Sequence, residues 1–121
     1  MQKPYPILEY DPDPHGIIEI DLVEDALAGM PEHCVICFFG DVFERFAERG
    51  LLAPLDILQT EMGDHPIYLY TVGERTVALL KQGMGAALAA YLLEETIALG
   101  GRKFIACGGA GAGVHEVNNG R

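Results

Sequence analysis

Short apolar runs alternate along this chain with breaks marked by glycine or proline, and their spacing predicts an α/β fold. Cys34 to Phe39 is a continuous apolar run, as expected of a strand covered on both faces. Gly40-Asp41 ends it, and the pattern from Val42 to Arg49 predicts a helix stopped by Gly50. Leu55 to Leu58 and Ile67 to Val72 read as strands joined through Met62-Gly63-Asp64-His65-Pro66. Gly73-Glu74 is a turn signal before Thr76 to Leu80, so the strands on either side of it are expected to form a hairpin. A helix is predicted from about Ala86 to Leu99, entered through Gly83-Met84-Gly85 and closed by Gly100-Gly101. Ala86 to Leu93 are apolar all round, which predicts burial on most sides. Lys103 to Cys107 reads as one more short buried strand, leading into the glycine run Gly108 to Gly113 and a polar end. Strand, Gly-x-Gly turn, helix and strand form a βαβ unit with parallel pairing, and ligands of open α/β sheets sit at the ends of such strands.

Residues 1–30 differ in character: an arm rich in Pro, Asp and Glu, with the turn-dense segment Asp11-Pro12-Asp13-Pro14-His15-Gly16. Ile17 to Leu22 is expected as an edge strand or extended arm, with Asp21 and Asp25 as caps of a short turn ending near Gly29. The remainder, 31–121, reads as a single α/β unit. With 121 residues, half of them apolar, the chain has room for one packed core. Its net charge of −10, from 18 acidic against 8 basic residues, argues against nucleic acid or an anionic membrane as partner. No apolar run reaches the ~18 residues of a membrane span, and Met1-Gln2-Lys3-Pro4-Tyr5-Pro6 lacks a signal-peptide core, so a soluble cytoplasmic protein is expected.

The candidate chemistry lies in the breaks. Cys34 and Cys37 form a Cys-x-x-Cys, but on a strand residues three apart face opposite ways, so both are expected as core residues, and Cys107 likewise. No metal site and no cofactor are expected. Gly83-Met84-Gly85 frees the backbone to approach a ligand at a helix N-terminus, where amides and the helix dipole suit an anion; it equally suits tight packing. No Gly-Lys-Ser/Thr follows it, and Leu88 stands where a dinucleotide fingerprint needs its third glycine. No helical pattern follows Gly113, so that loop too fails the dinucleotide context. Asp41 is placed to cap a helix, and Arg45 either pairs with it or reaches an anion at the strand ends. Glu94 and Glu95 are expected on a solvated face, and His65 in a turn. No catalytic triad assembles from the sequence.

Three segments, in order, resemble the nucleoside phosphorylase and nucleosidase family. Phe39-Gly40-Asp41-Val42-Phe43-Glu44-Arg45 is similar to its first phosphate loop, a Gly-Asp-Pro with a nearby arginine. Gln82-Gly83-Met84-Gly85 and the helix after it are similar to its second glycine turn. Phe104 to Ala112 is similar to its strand and loop of the form Ile-x-x-Gly-(Ser/Thr)-x-Gly-Ala. The resemblance implies a three-layer fold with a mixed or parallel sheet between flanking helices. It implies pentosyl transfer from a nucleoside to phosphate, or hydrolysis, with nucleoside and phosphate as ligands. Gly40, Arg45, Gly83, Gly85, Gly108 and Gly109 would line the phosphate or ribose side.

The chain departs from the family pattern at several points. Ala106 replaces an arginine, Gly109 replaces the Ser/Thr, Val42 replaces the proline, and Arg45 falls one residue late. No arginine stands near Glu61 to Asp64, where the family lends one to a neighbouring subunit. Family members are longer, and their second half carries the acid that protonates the leaving base. The resemblance therefore implies an N-terminal portion, with little catalysis expected from this chain alone and self-association expected of its uncovered sheet. A non-catalytic oligomerisation or ligand-binding module on the same scaffold is the alternative.

Overall fold

A computed structural model describes residues 12–15 and 25–109. The expected edge strand Ile17 to Leu22, the cap Asp21 and the loop beyond Gly109 lie outside the described residues. Five strands and two helices follow in the order β1 (His33–Cys37), α1 (Gly40–Glu48), β2 (Leu52–Thr60), β3 (Gly63–Val72), β4 (Arg75–Lys81), α2 (Ala86–Leu99) and β5 (Lys103–Cys107). The strands form one sheet in the order β2-β3-β4-β1-β5. β1 pairs in parallel with β4 on one side and β5 on the other, while β2, β3 and β4 form an antiparallel meander.

The two helices cover opposite faces. Leu92 and Leu99 of α2 pack with Cys34, Leu58, Ile67, Ala78 and Leu80. Phe43 of α1 packs with Cys37 and Leu79, and Val42, Phe46, Tyr68 and Tyr70 extend that cluster. Alternation along β4 sends Ala78 and Leu80 to one helix and Leu79 to the other, which is why all three are buried in succession. Aromatic pairs fix α1 on β3: Phe46 stacks on Tyr70 with ring centroids 5.0 Å apart, and Phe43 tilts against Tyr68 at 6.1 Å. The expected three-layer α/β fold with a mixed sheet is what these residues build.

Several local expectations change. β4, α2 and β5 are successive, yet β4 and β5 do not pair with each other; β1 lies between them, and α2 crosses over it. β2 is longer than its apolar run because a bulge between Pro54 and Asp56 breaks the alternation that marks a strand. β3 likewise extends back through His65 and Pro66, residues expected in the connection. Pro66 is accommodated where the β4 ladder has ended, so its missing N–H leaves no gap. Phe38 and Phe39 stand exposed beyond β1, and α1 starts at Gly40.

α2 is less enclosed than its composition suggests. Leu92, Glu95, Thr96 and Leu99 are its buried residues, whereas Ala86, Ala87, Ala90 and Tyr91 are exposed. Glu95 therefore leaves the solvated face expected for it, while Glu94 keeps to it. In the N-terminal region His15 N–H donates to Asp13 Oδ1 at 3.0 Å, a local turn of the kind the Asp/Pro pattern predicts. Leu27 N–H donates to the Leu99 carbonyl at 2.9 Å, and Leu27 and Met30 pack against the α2-side core.

Candidate functional site

The parallel strands β1, β4 and β5 end at the same edge of the sheet. β1 continues into α1 on one face, and its neighbour β4 continues into α2 on the other. Adjacent parallel strands whose connections leave to opposite faces open a crevice between them, the place where open α/β sheets bind ligands. A crevice of about 530 Å³ lies there, lined by Phe38, Gln82, Met84, Ala106, Gly108 and Gly109. That volume falls within the range of small-molecule sites, ~300–1,000 Å³.

Register explains this lining. Ile36 of β1 is level with Leu80 of β4 and Ala106 of β5. Two residues further on, the same face carries Gln82, Phe38 and Gly108. Met84 belongs to the turn into α2 and is 92% exposed, so an apolar side chain overhangs the mouth. Gly85 precedes α2 at φ 100° and ψ 140°, a conformation open essentially to glycine alone. No side chain caps the helix, and its first ladder bond is from Ala89 N–H to the Gly85 carbonyl at 3.0 Å. The amides of the first turn thus lack intrahelical acceptors, as at any helix N-terminus, a setting that suits an anion.

Each glycine of the site has its own reason. A Cβ on Gly83 would collide with the Leu88 side chain, which would have to shift to admit it, while His65 Cε1 at 3.5 Å is an ordinary contact. Gly85 has open space around its missing Cβ; backbone conformation alone requires glycine. At Gly108 and Gly109 a Cβ would meet only ordinary contacts, Phe38 at 3.5 Å and Phe39 at 3.8 Å. The described fold does not itself require glycine at those two positions.

The cationic side of the site is sparse. Arg45 lies on α1 with its guanidinium donating to Asp41 Oδ2 at 2.9 Å, an exposed i,i+4 pair. Asp41 serves that pair and does not cap the helix: Phe39 holds the N-cap position without a side-chain bond. Of the residues expected at the site, Gly108 and Gly109 line the crevice, and Gly85 sets the helix entry beside it. Gly83 lines a second cavity of about 430 Å³ on the α1 side, together with Phe43, His65, Lys81 and Gln82. Gly40 opens α1, and neither it nor Arg45 lines either cavity.

A profile of the phosphorylase superfamily matches residues 32–121. The chain belongs to the phosphorylase superfamily. A search of curated proteins found no match. In this phosphorylase-superfamily chain Ala106 stands in the crevice wall. Sequence reading missed Phe38, Gln82 and Met84 as lining residues. Gln82 had a detectable signal: it is a polar residue two positions after Leu80, on the same strand face, at the end of an apolar run.

His65, expected in a turn, lies on β3 with Nε2 3.1 Å from Thr60 Oγ1, tying the β2-β3 hairpin together beside Gly83. Cys34 and Cys37 are buried in opposite layers, so the Cys-x-x-Cys does not converge on a metal. Burial pushes the Cys34 thiol up to about 11, which keeps it protonated and unreactive. Cys107 is only half-buried, less enclosed than expected, because α1 does not extend over β5. Among the described residues no helix is long and apolar enough to cross a membrane.

Proposed function

We propose that this chain supplies the ribose and nucleophile side of a nucleoside phosphorylase- or nucleosidase-type site, in the crevice at the ends of β1, β4 and β5. The reaction class is pentosyl transfer: the glycosidic C–N bond breaks as an oxygen of phosphate or water bonds to the anomeric carbon. The base leaves with the bonding electrons and takes up a proton. The observation that carries the reading is the uncapped N-terminus of α2, set by Gly85 beside a crevice walled by two glycines that the described fold does not itself require. Backbone amides there would face the entering oxygen, and exposed Phe38 and Met84 offer apolar surface to a sugar or base. A second reading, binding without turnover, is favoured by Ala106 and by the engagement of Arg45 with Asp41, since neither position offers the crevice a free cation.

Thermal denaturation with inosine, uridine, ribose 1-phosphate or inorganic phosphate tests the site. A ligand at a hundredfold excess over its Kd stabilises the native state by about 2.7 kcal/mol. Gly108→Val puts two methyl groups into the crevice where its Cβ has room, and is expected to remove the shift without loss of folding. No shift with any of these compounds would sink the reading. A shift without release of free base on prolonged incubation would favour binding without turnover.

A further inference from the structure

The sheet sets two of the three cysteines side by side. Cys37 ends β1, Cys107 ends β5, and the two are Cα partners in the parallel ladder. The Phe38 N–H donates to the Cys107 carbonyl at 2.9 Å, which holds the register just beyond the pair. Partners in a parallel ladder point to the same face, and neighbouring strands lie ~4.8 Å apart. That spacing falls inside the ~4.4–6.8 Å that a disulfide spans between Cα atoms. Cβ atoms at the strand spacing stand slightly wider than a disulfide's ~3.5–4.5 Å, so closure draws the two strand ends together by about 1 Å at most. The ends can yield. β5 has no neighbour on its outer edge among the described residues, and the Cys37 thiol gives up only a weak bond to the Phe39 carbonyl at 3.7 Å.

Access differs across the pair. Cys37 is 4% exposed beneath α1, whereas Cys107 is half-buried on a face where Ile105 of the same strand lies open to solvent. Cys34 is separated from both, because it belongs to the layer under α2. We infer that Cys37 and Cys107 form a thiol pair that hydrogen peroxide converts reversibly into a disulfide joining the ends of β1 and β5. Cys107 reacts first, as the accessible thiol. Its sulfur attacks one oxygen of the peroxide, the O–O bond breaks and water leaves; the sulfur is oxidised to a sulfenic acid as the peroxide is reduced. The Cys37 sulfur, losing its proton, then attacks the Cys107 sulfur. The S–S bond forms, the S–O bond breaks, and hydroxide leaves with that proton as a second water. A thiol reductant returns both thiols. The next residues along each strand, Phe38 and Gly108, line the crevice, so the bond ties two of its walls together.

The reduced full chain, treated with graded hydrogen peroxide, alkylated and digested, is read by mass spectrometry. The expected product is one intrachain link between the Cys37 and Cys107 peptides, with free thiols falling from three to one and dithiothreitol restoring all three. Cys34→Ser should form the same link. Cys37→Ser should stop at a sulfenic acid on Cys107, which dimedone traps. Cys107→Ser should leave Cys37 unoxidised at peroxide doses that convert the wild type. A link through Cys34, a link only between two chains, or overoxidation of wild-type Cys107 without a link would overturn the inference. So would three thiols that survive the peroxide. The wild-type product decides the matter even where a serine variant fails to fold.

Discussion

At the scale of single residues, two glycines of one turn are required for different reasons, and substitution separates them. Gly83 faces the Leu88 side chain, so Gly83→Ala overpacks a tight contact and is expected to lower stability by about 1–3 kcal/mol. Because Leu88 is what the new methyl meets, the same change in a Leu88→Ala background should cost markedly less. Urea unfolding of the four-member cycle reads this as a coupling energy. Additive losses would mean that backbone conformation, not Leu88, sets the cost. Cys34 provides a prediction in pH. Its folded-state pKa is raised from 9.0 to about 11 by burial, so the native state holds its proton more tightly than the unfolded chain. That contribution is fully present below pH 9 and is lost as pH rises towards 11. The alkaline loss of stability should therefore be shallower in Cys34→Ala than in the wild type, although the variant starts lower. Parallel pH profiles would refute the assignment.

At the scale of elements, legibility in the sequence followed how local the cause was. α2 was legible almost to the residue, because glycine turns punctuate both of its ends. β1 and β5 were legible as apolar runs, though Phe38 and Phe39 continue the run without continuing the strand. The length of β2 was not legible: its bulge breaks the period, and only pairing with β3 holds the remainder extended. Nor was the insertion of β1 between β4 and β5, a choice of partner that no local pattern records. The glycine frame of the site was visible, whereas Gln82 required knowing which residues share a face across three strands. The buried side of α2 was hidden by its uniform composition and follows from its seat on the sheet. Leu92 at its centre is 1% exposed against Cys34, Ile67 and Leu80, so Leu92→Ala is expected to cost about 2–5 kcal/mol. Ala90→Ser, two positions before it and on the exposed side, should change stability by less than about 0.5 kcal/mol. Chemical denaturation of the pair measures the contrast, and similar losses from both would mean that the outer face of α2 is covered in solution.

At the scale of the whole molecule, the sheet order predicts a gradient of stability. β1 and β4 are flanked on both edges and covered by a helix on each face, whereas β5 pairs only with β1 among the described residues. Ile105, on the face where α1 does not reach, is 65% exposed. Amide hydrogen exchange should be slowest at Val35 to Cys37 and Ala78 to Leu80, whose opening approaches global unfolding. In β5, alternate amides bond to β1 and the rest point outward, so protection should alternate along Lys103 to Cys107. An open parallel edge beside exposed apolar surface is also a template for pairing with another chain. Repeating the exchange at several protein concentrations distinguishes the two conditions of that edge. Alternation that persists at every concentration would show β5 to be a true edge of the free chain. Protection of every β5 amide that grows with concentration would identify a second copy as its cover and make self-association part of the fold's stability. Uniform protection independent of concentration would contradict the edge assignment itself, and with it the expectation that this chain seeks a partner through β5.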